Sequence, residues 1–398
     1  MKILTILIII FLFISVIDIF SYRSINLAFN QIFTKNIYAR LIFFSITLST
    51  VILFVIALIK ANSSGNIFAM NYLYPVIGII VLFYLPKINI SIFYGLDSLS
   101  FLIIKKHLFL NYIGISISAL TFLLVAHGIF INKTNFQVRK QIISSSKIPT
   151  AFNNLKIIQI SDLHIGSFHN DVESIDKLVQ QINKENADLI LFTGDMVSNY
   201  AGEMDEFMPT LKKLKAKYGK YSILGNHDYG EYVNWKSKEE EEINLRFLIQ
   251  KHQEIGFNLL NNENITITIE GQSIQLIGVE NWGLPPFPQF GNLEQSSQHL
   301  DRNKFTVLLS HDPSHWRAQV LNYPFIDLTL SGHTHAMQFG FEFGSWQWSP
   351  VSLKYPEWGG LYQKGKQMLY VNRGTGFIGF PGRIGIRPEI TELILKSE

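Results

Sequence analysis

The sequence predicts two unlike parts: an all-α transmembrane region over residues 1–132, and an α/β domain of two packed mixed β-sheets flanked by helices over residues 155–398. Three observations carry this prediction. Residues 1–132 hold eight Lys or Arg, two Asp and no Glu, and their apolar runs approach the roughly 20 residues that a membrane helix needs. After Leu155, apolar runs of strand length alternate with stretches of helical spacing. From Asn264 the apolar period shortens to two, which marks a β-richer second half.

Four apolar stretches are long enough to cross a bilayer: about Ile3–Phe20, Leu41–Ile59, Tyr72–Leu85 with its flanks, and Leu108–Ile131. The third is interrupted by Pro75 and Pro86, and its apolar character resumes at Ile88–Ile104, a segment expected to lie in the interface or to re-enter. Lys2 ahead of an apolar run resembles a signal peptide. No small-residue cleavage site follows Phe20, so a retained helix is expected. Four spans put the amino terminus and the α/β domain on one side. The first and third loops hold Arg23, Lys35, Arg40, Lys87, Lys105 and Lys106, against Lys2, Lys60, Lys133, Arg139 and Lys140 opposite. By the positive-inside rule that margin of one places the domain of this multi-pass membrane protein outside the cytoplasm.

Residues 133–154, rich in Lys, Ser, Gln and Asn, read as a polar linker. Beyond it, Val172, Ile175, Leu178, Val179 and Ile182 set a helix over Val172–Lys184, and Phe207–Tyr218 and Glu239–Ile255 read as two more. Ile265, Ile267 and Ile269 against Ile274 and Leu276, about Glu270-Gly271, form a hairpin. The whole chain carries a net charge of +3, but its α/β part is acidic, which argues against a nucleic-acid partner. With no Cys, disulfides and thiolate metal sites are excluded, so any metal ligands are His, Asp, Asn and their like.

Five strand-like runs each end abruptly in ligand-type residues. Leu155–Ile160 leads to Ser161-Asp162-Leu163-His164, Asp188–Thr193 to Gly194-Asp195, and Tyr221–Leu224 to Gly225-Asn226-His227-Asp228. Phe305–Leu309 leads to Ser310-His311, and Ile326–Leu330 to Ser331-Gly332-His333-Thr334-His335. Singly, each is weak: Gly-His-x-His alone fits two surface histidines. Ligands collect beyond the carboxyl ends of strands in open α/β sheets, so five such ends delivering carboxylates and imidazoles to one rim point to a metal site.

This order of motifs resembles the calcineurin-like metallophosphoesterase family, in particular its bacterial branch of membrane-associated and exported phosphoesterases. The resemblance covers roughly residues 150–398 and not the membrane third. It implies a four-layer sandwich fold and a dinuclear centre of Mn, Fe or Zn, which suit mixed oxygen and nitrogen donors. It further implies that Asp195 bridges the two ions, that Asp162, His164 and His335 hold one, and that Asn226, His311 and His333 hold the other. Two cations about 3.5–4 Å apart clamp the attacking and leaving oxygens of a phosphoryl displacement, with a bridging hydroxide attacking phosphorus in line. A neutral Asn226 preserves the charge that acidifies that water. His227 takes the family's position for a residue that stabilises or protonates the leaving oxygen, with Asp228 orienting its imidazole. The chain departs from the family pattern twice. Ser198 stands where an acidic or basic residue is common, and Ala336-Met337 follow the last histidine where Gly-Gly is frequent.

The other histidines, His107, His127, His169, His252, His299 and His315, lack ligand-like context, although His169 is close enough to His164 to reach the rim. The stretch Phe339–Tyr362, with Trp346, Trp348 and Trp358, reads either as core or as a surface for an apolar or lipid tail at the membrane interface. Asn372 and Arg373 follow a strand, Met368–Val371, and Arg373 reads equally as a phosphate contact or a structural ion pair. The expected function is a membrane-anchored phosphoesterase of phosphodiesterase or pyrophosphatase type, acting on a phosphate ester or diphosphate of a phospholipid or lipid-linked substrate. Its rivals are a nuclease or cyclic-nucleotide phosphodiesterase, and a non-enzymatic membrane sensor for a phosphorylated ligand. The spans hold too few ionisable residues to mark a transport pathway, and nothing in the sequence sets the oligomeric state.

Overall fold

The computed structural model describes residues 2–63, 69–105, 109–344 and 346–398; Lys106 and His107 lie outside them. The chain divides into two compact units, Met1–Ile131 with Gly379–Gly382, and Asn132–Ile378 with Arg383–Glu398.

The first unit is helical: α1 (Lys2–Ala28), a short α2 (Ile32–Lys35), α3 (Ile37–Ser63), α4 (Ala69–Ile104) and α5 (Leu110–Phe130). Among the described residues, three segments are long and apolar enough to cross a membrane: Ile37–Ala61, Tyr72–Ile104 and Leu110–Thr134. The expected break in the third stretch is absent. Pro75 and Pro86 both lie inside one helix of 36 residues, since neighbouring helices and Ser or Thr hydroxyls satisfy the backbone near a membrane proline. Inside this bundle Lys87 Nζ meets Asp18 Oδ1 at 2.6 Å, and Thr47 donates to Asp18 at 3.0 Å. Lys87 is therefore a buried partner in mid-helix rather than a loop charge, and without it the one-residue margin in the positive-inside tally vanishes.

The second unit starts with β1 (Gln137–Ser145), which corrects the reading of residues 133–154 as a free linker. It pairs in parallel with the last strand of the chain. Its polar composition suits a sheet edge, where charges guard against stray pairing: Lys140 Nζ lies 2.6 Å from Glu392 and Arg139 Nε 3.5 Å from Glu389. Then come β2 (Lys156–Ile160), α6 (Val172–Lys184), β3 (Leu189–Thr193), α7 (Met208–Leu211), β4 (Gly219–Ile223), α8 (Lys238–Glu254) and β5 (Asn258–Leu259). The helix expected over Phe207–Tyr218 is only the short α7, preceded by a 3-10 segment over Ala201–Phe207. A second sheet follows with β6 (Glu263–Ile269), β7 (Gln272–Gly278), β8 (Thr306–Leu309) and β9 (Leu328–Ser331). The hairpin of β10 (Phe341–Phe343) and β11 (Trp346–Trp348) stands apart, β12 (Gly360–Lys364) and β13 (Gln367–Val371) complete the second sheet, and β14 (Glu389–Ser397) returns to the first.

The sheet orders are β1-β14-β2-β3-β4-β5 and β12-β13-β9-β8-β7-β6. Strands β2 to β5 run parallel, as do β7, β8, β9 and β13, while β14 is antiparallel to β2 and β12 to β13, so both sheets are mixed. Alternation sets the layers. Ile157, Leu189, Leu191 and Ile223 face the core between the sheets with Val307, Leu309, Leu328 and Leu330. Ile158, Ile160, Ile190 and Phe192 face outward onto Ile175, Leu178, Val179 and Ile182 of α6. That helix occupies the residues expected from its spacing, and Asp171 caps it by accepting from Ser174 N. Helices, two sheets and an outer cluster around Trp316 make the four layers.

Candidate metal centre

The parallel arrangement brings the carboxyl ends of β2, β3, β4, β8 and β9 to one rim, and each ends where a ligand-type residue begins. The backbone there is held in an unusual state. Asp162, His164, Asp195, His333 and His335 have φ of 52°, 41°, 61°, 70° and 49°. A non-glycine residue in this left-handed region costs roughly 1–2 kcal/mol, and such costs gather where function over-determines geometry.

Two groups of donors converge: Asp162, His164 and His335, and Asp195, His311 and His333, with ligand atoms in each group within 4.8 Å of one another. His335 Nε2 lies 3.2 Å from Asp162 Oδ1 and 2.9 Å from His164 Nε2. His311 Nε2 lies 3.2 Å from Asp195 Oδ2 and 3.3 Å from His333 Nδ1. The far side of each ring is tied down. His164 Nδ1 donates to Val197 O at 3.2 Å and His311 Nδ1 to Thr193 O at 2.7 Å, which turns both Nε2 lone pairs inward. Asn226 Nδ2 donates to Tyr232 at 2.8 Å, while its buried Oδ1 has no partner. Inward lone pairs and an orphaned buried oxygen fit a donor set for cations. In the protein alone, burial opposes charge on His311, but the Asp195 and Asp162 carboxylates outweigh it and lift the imidazole to about 10. Burial also opposes charge on Asp195, yet His311 and His227 hold it well below the usual carboxylate range.

Comparison with known proteins meets this geometry from another direction. The family model for calcineurin-like phosphoesterases matches residues 155–337. The uncharacterized metallophosphoesterase YkuE of Bacillus subtilis is 33% identical over 265 residues, covering 66% of this chain and 86% of that protein. The chain belongs to the calcineurin-like metallophosphoesterase family. A Bos taurus transmembrane protein with metallophosphoesterase domain is 30% identical over 63% of this chain, a match spanning 55% of its own length. Among solved structures, a dimetal phosphatase from Danio rerio is 11% identical over 56% of this chain and 88% of its own, with a TM-score of 0.34. That likeness is too low to carry the fold, which rests on the sheet order above. Membership implies a metal-dependent phosphoester hydrolase, and the apolar helices together with the bovine relative make it a membrane protein.

In this metallophosphoesterase Asp228 does not touch the His227 ring. Its Oδ2 accepts from Asp195 N at 2.8 Å and Gly225 N at 2.9 Å, and its Oδ1 from Met196 N at 2.9 Å. Consecutive side chains in this tight turn diverge, so Asp228 braces the two ligand loops instead. Burial and the nearby Asp195 push its carboxyl up to about 7. His227 Nδ1 donates to Ser198 O at 2.7 Å, and its ring stacks on Tyr232 with centroids 4.3 Å apart. The side-chain partner missing at Ser198 is replaced from further on: Glu203 Oε2 accepts from Ser198 N at 2.6 Å. No spacing in the sequence signals Glu203. Asp312 and Tyr355 were also missed. Tyr355 Oη lies 3.1 Å from His333 Nε2, Asp312 Oδ2 lies 3.5 Å from it, and together they leave His333 Nδ1 facing His311. Asp312 had one signal, its place directly after His311.

The expected substrate contact of Asn372 and Arg373 does not match their packing. Arg373 is 2% exposed, and its guanidinium is engaged by Glu389, Gln347 and Glu342, an ion-pair network rather than a free cation. Asn372 is fully buried and donates to Thr391 Oγ1 at 2.9 Å. His169 is exposed and belongs to neither donor group.

Gly332 offers a test of how tightly the rim is packed. A Cβ there would overlap Ser161 Oγ and Asp162 Oδ2. Gly332→Ala is expected to destabilise the protein by about 1–3 kcal/mol, the usual cost of overpacking, and to weaken metal uptake. Thermal melting with and without Mn²⁺ checks both; an unchanged melting temperature and unchanged uptake would show a looser rim than the structure has.

Proposed function

We propose that this protein is a membrane-anchored, dinuclear metal-dependent phosphoesterase that hydrolyses a phosphate ester or diphosphate of a phospholipid or lipid-linked substrate. The observation that carries the reading is the position of Asp195. Its Oδ2 lies 3.4 Å from His164 Nε2 in one donor group and 3.2 Å from His311 Nε2 in the other, which supports a bridging role. Asp162, His164 and His335 then hold one ion, and Asn226, His311 and His333 the other. A pair of Mn, Fe or Zn ions supplies Lewis acidity there, lowering the pKa of water and drawing charge from phosphate.

The chain's own residues supply orientation and a proton. His227 Nδ1 is fixed on Ser198 O, so a proton for the leaving oxygen is carried on Nε2 of the imidazolium, a form that burial disfavours and the Asp195 carboxylate favours. Glu203 accepts from Ser198 N, on the residue whose carbonyl orients the ring. Asp228 keeps the Asp195 and Asn226 loops in register through their backbone N–H groups.

Tethering supports the lipid substrate class. β1 begins at Gln137 and α5 ends at Phe130, a separation of at most about 25 Å of extended chain. A catalytic unit tethered to membrane helices by so short a connection meets lipid phosphates at high effective concentration. Full-length protein in liposomes is therefore expected to hydrolyse a phosphate ester presented in the same bilayer at least about tenfold faster than its water-soluble headgroup analogue. Equal rates would remove lipids from the substrate class while leaving the metal chemistry in place.

A further inference from the structure

The β10–β11 hairpin is built inside out. Its register pairs Phe341 with Trp348, Glu342 with Gln347 and Phe343 with Trp346. Alternate residues of a strand point to opposite faces, so four aromatic rings share one face and Glu342 and Gln347 share the other. A hairpin on a soluble domain turns its apolar face inward and its polar face to water. Here the polar face is the one clamped to the protein. Glu342 pairs with Arg139 and with Arg373 Nε, the latter at 3.4 Å; Gln347 Oε1 accepts from Arg373, and its Nε2 donates to Gly359 O at 3.0 Å. The aromatic face is left outward: Phe343 is 69% exposed, Trp346 55% and Trp348 39%. Of the two readings of this stretch, Trp358 satisfies the core one, in the cluster with Ala336, Tyr355 and Ile386, and the hairpin does not.

We infer that this hairpin docks into the headgroup boundary of the bilayer that the chain's own helices cross. Three facts select a bilayer over another protein. Trp and Phe without charge on their face are what a membrane interface takes up. Three partly exposed rings present at most a few hundred Å², short of the roughly 800 Å² per partner in a stable protein interface. And the anchor of the hairpin is tethered: Arg139 lies nine residues beyond Phe130, the end of α5, a reach of about 30 Å at most. The docked element is continuous with the metal rim. Ser349, the residue after β11, donates through Oγ to Ala336 O at 2.7 Å, and Ala336 follows His335. The docked hairpin is thereby linked to the loop that carries His335, whatever the substrate.

All six Trp lie after residue 230, so none belongs to the membrane helices and Trp emission reports on the second unit alone. The test uses full-length protein in nanodiscs of phosphatidylcholine and phosphatidylglycerol, with and without bromine on the upper acyl carbons. Emission is expected to fall by about a third in brominated discs, two rings of six, and the W346F/W348F variant is expected to lose that difference while its melting temperature is unchanged. Phe343→Ser, milder for the Trp signal, is expected to reduce the quenching without abolishing it. Equal emission of the unsubstituted protein in the two discs would overturn the inference, as would quenching that survives in W346F/W348F. Cross-linking of two copies through position 343 in place of quenching would also overturn it and assign the face to self-association.

Discussion

Asp195→Ala is expected to empty the metal centre and abolish hydrolysis. Two divalent charges about 4 Å apart repel by on the order of 15 kcal/mol even at an effective dielectric of about 20, so two ions coexist only with an anion between them. Among the described residues, the Asp195 carboxylate stands beside a histidine of each donor group, 3.4 Å from His164 and 3.2 Å from His311. Its loss removes the shared anion and leaves the mutual repulsion of the two ions without compensation. Elemental analysis of purified full-length protein, dialysed against Mn²⁺ or Zn²⁺, is expected to show a drop from about two ions to fewer than one per chain. Hydrolysis of an aryl phosphodiester should fall by at least about 10³-fold, more than the loss of a single charge-stabilising hydrogen bond. Asp195→Asn keeps the shape and the bond from His227 N while removing the charge, so it should lose metal nearly as fully. An Asn variant that retains both ions would show that the pair is not bridged by this carboxylate.

The convergence of these residues is legible because each is announced twice, by an apolar strand before it and by Gly, Ser or Asn at the turn. Asp162, Asp195, Asn226, His311 and His333 all follow a strand end within three residues, and the parallel order of the strands does the rest. What failed was whatever depends on the direction of a side chain rather than on its place in the chain. Asp228 beside His227 suggested a partner for the imidazole, yet the turn sends its carboxylate to the backbone of the neighbouring loop. Lys87 looked like a loop charge because Pro86 precedes it, and only the continuous helix shows it meeting Asp18. The strand Gln137–Ser145 was hidden by its own polarity, since an edge strand answered by Glu389 and Glu392 has no need of an apolar face. The hairpin misleads in the opposite sense: its aromatic alternation reads as core, and the ion pairs of Glu342 reverse it.

His227→Ala separates chemistry from metal binding, and its outcome depends on the leaving group. The ring sits outside both donor groups, its Nδ1 is committed to Ser198 O, and its face packs on Tyr232. Removing it should leave the metal content of the protein unchanged. A positioned proton donor contributes roughly 10²–10⁴-fold, and that contribution is largest where the departing alkoxide is most basic. The variant should therefore lose close to the full amount on an alkyl phosphodiester and much less on a nitrophenyl ester, whose leaving oxygen needs no proton. Parallel rate measurements on the two substrates, with metal analysis of the same preparation, read this directly. Equal losses on both esters would mean that His227 orients the substrate rather than protonating it. Loss of metal in the variant would move His227 into the ligand set, outside which the convergence of the two donor groups leaves it.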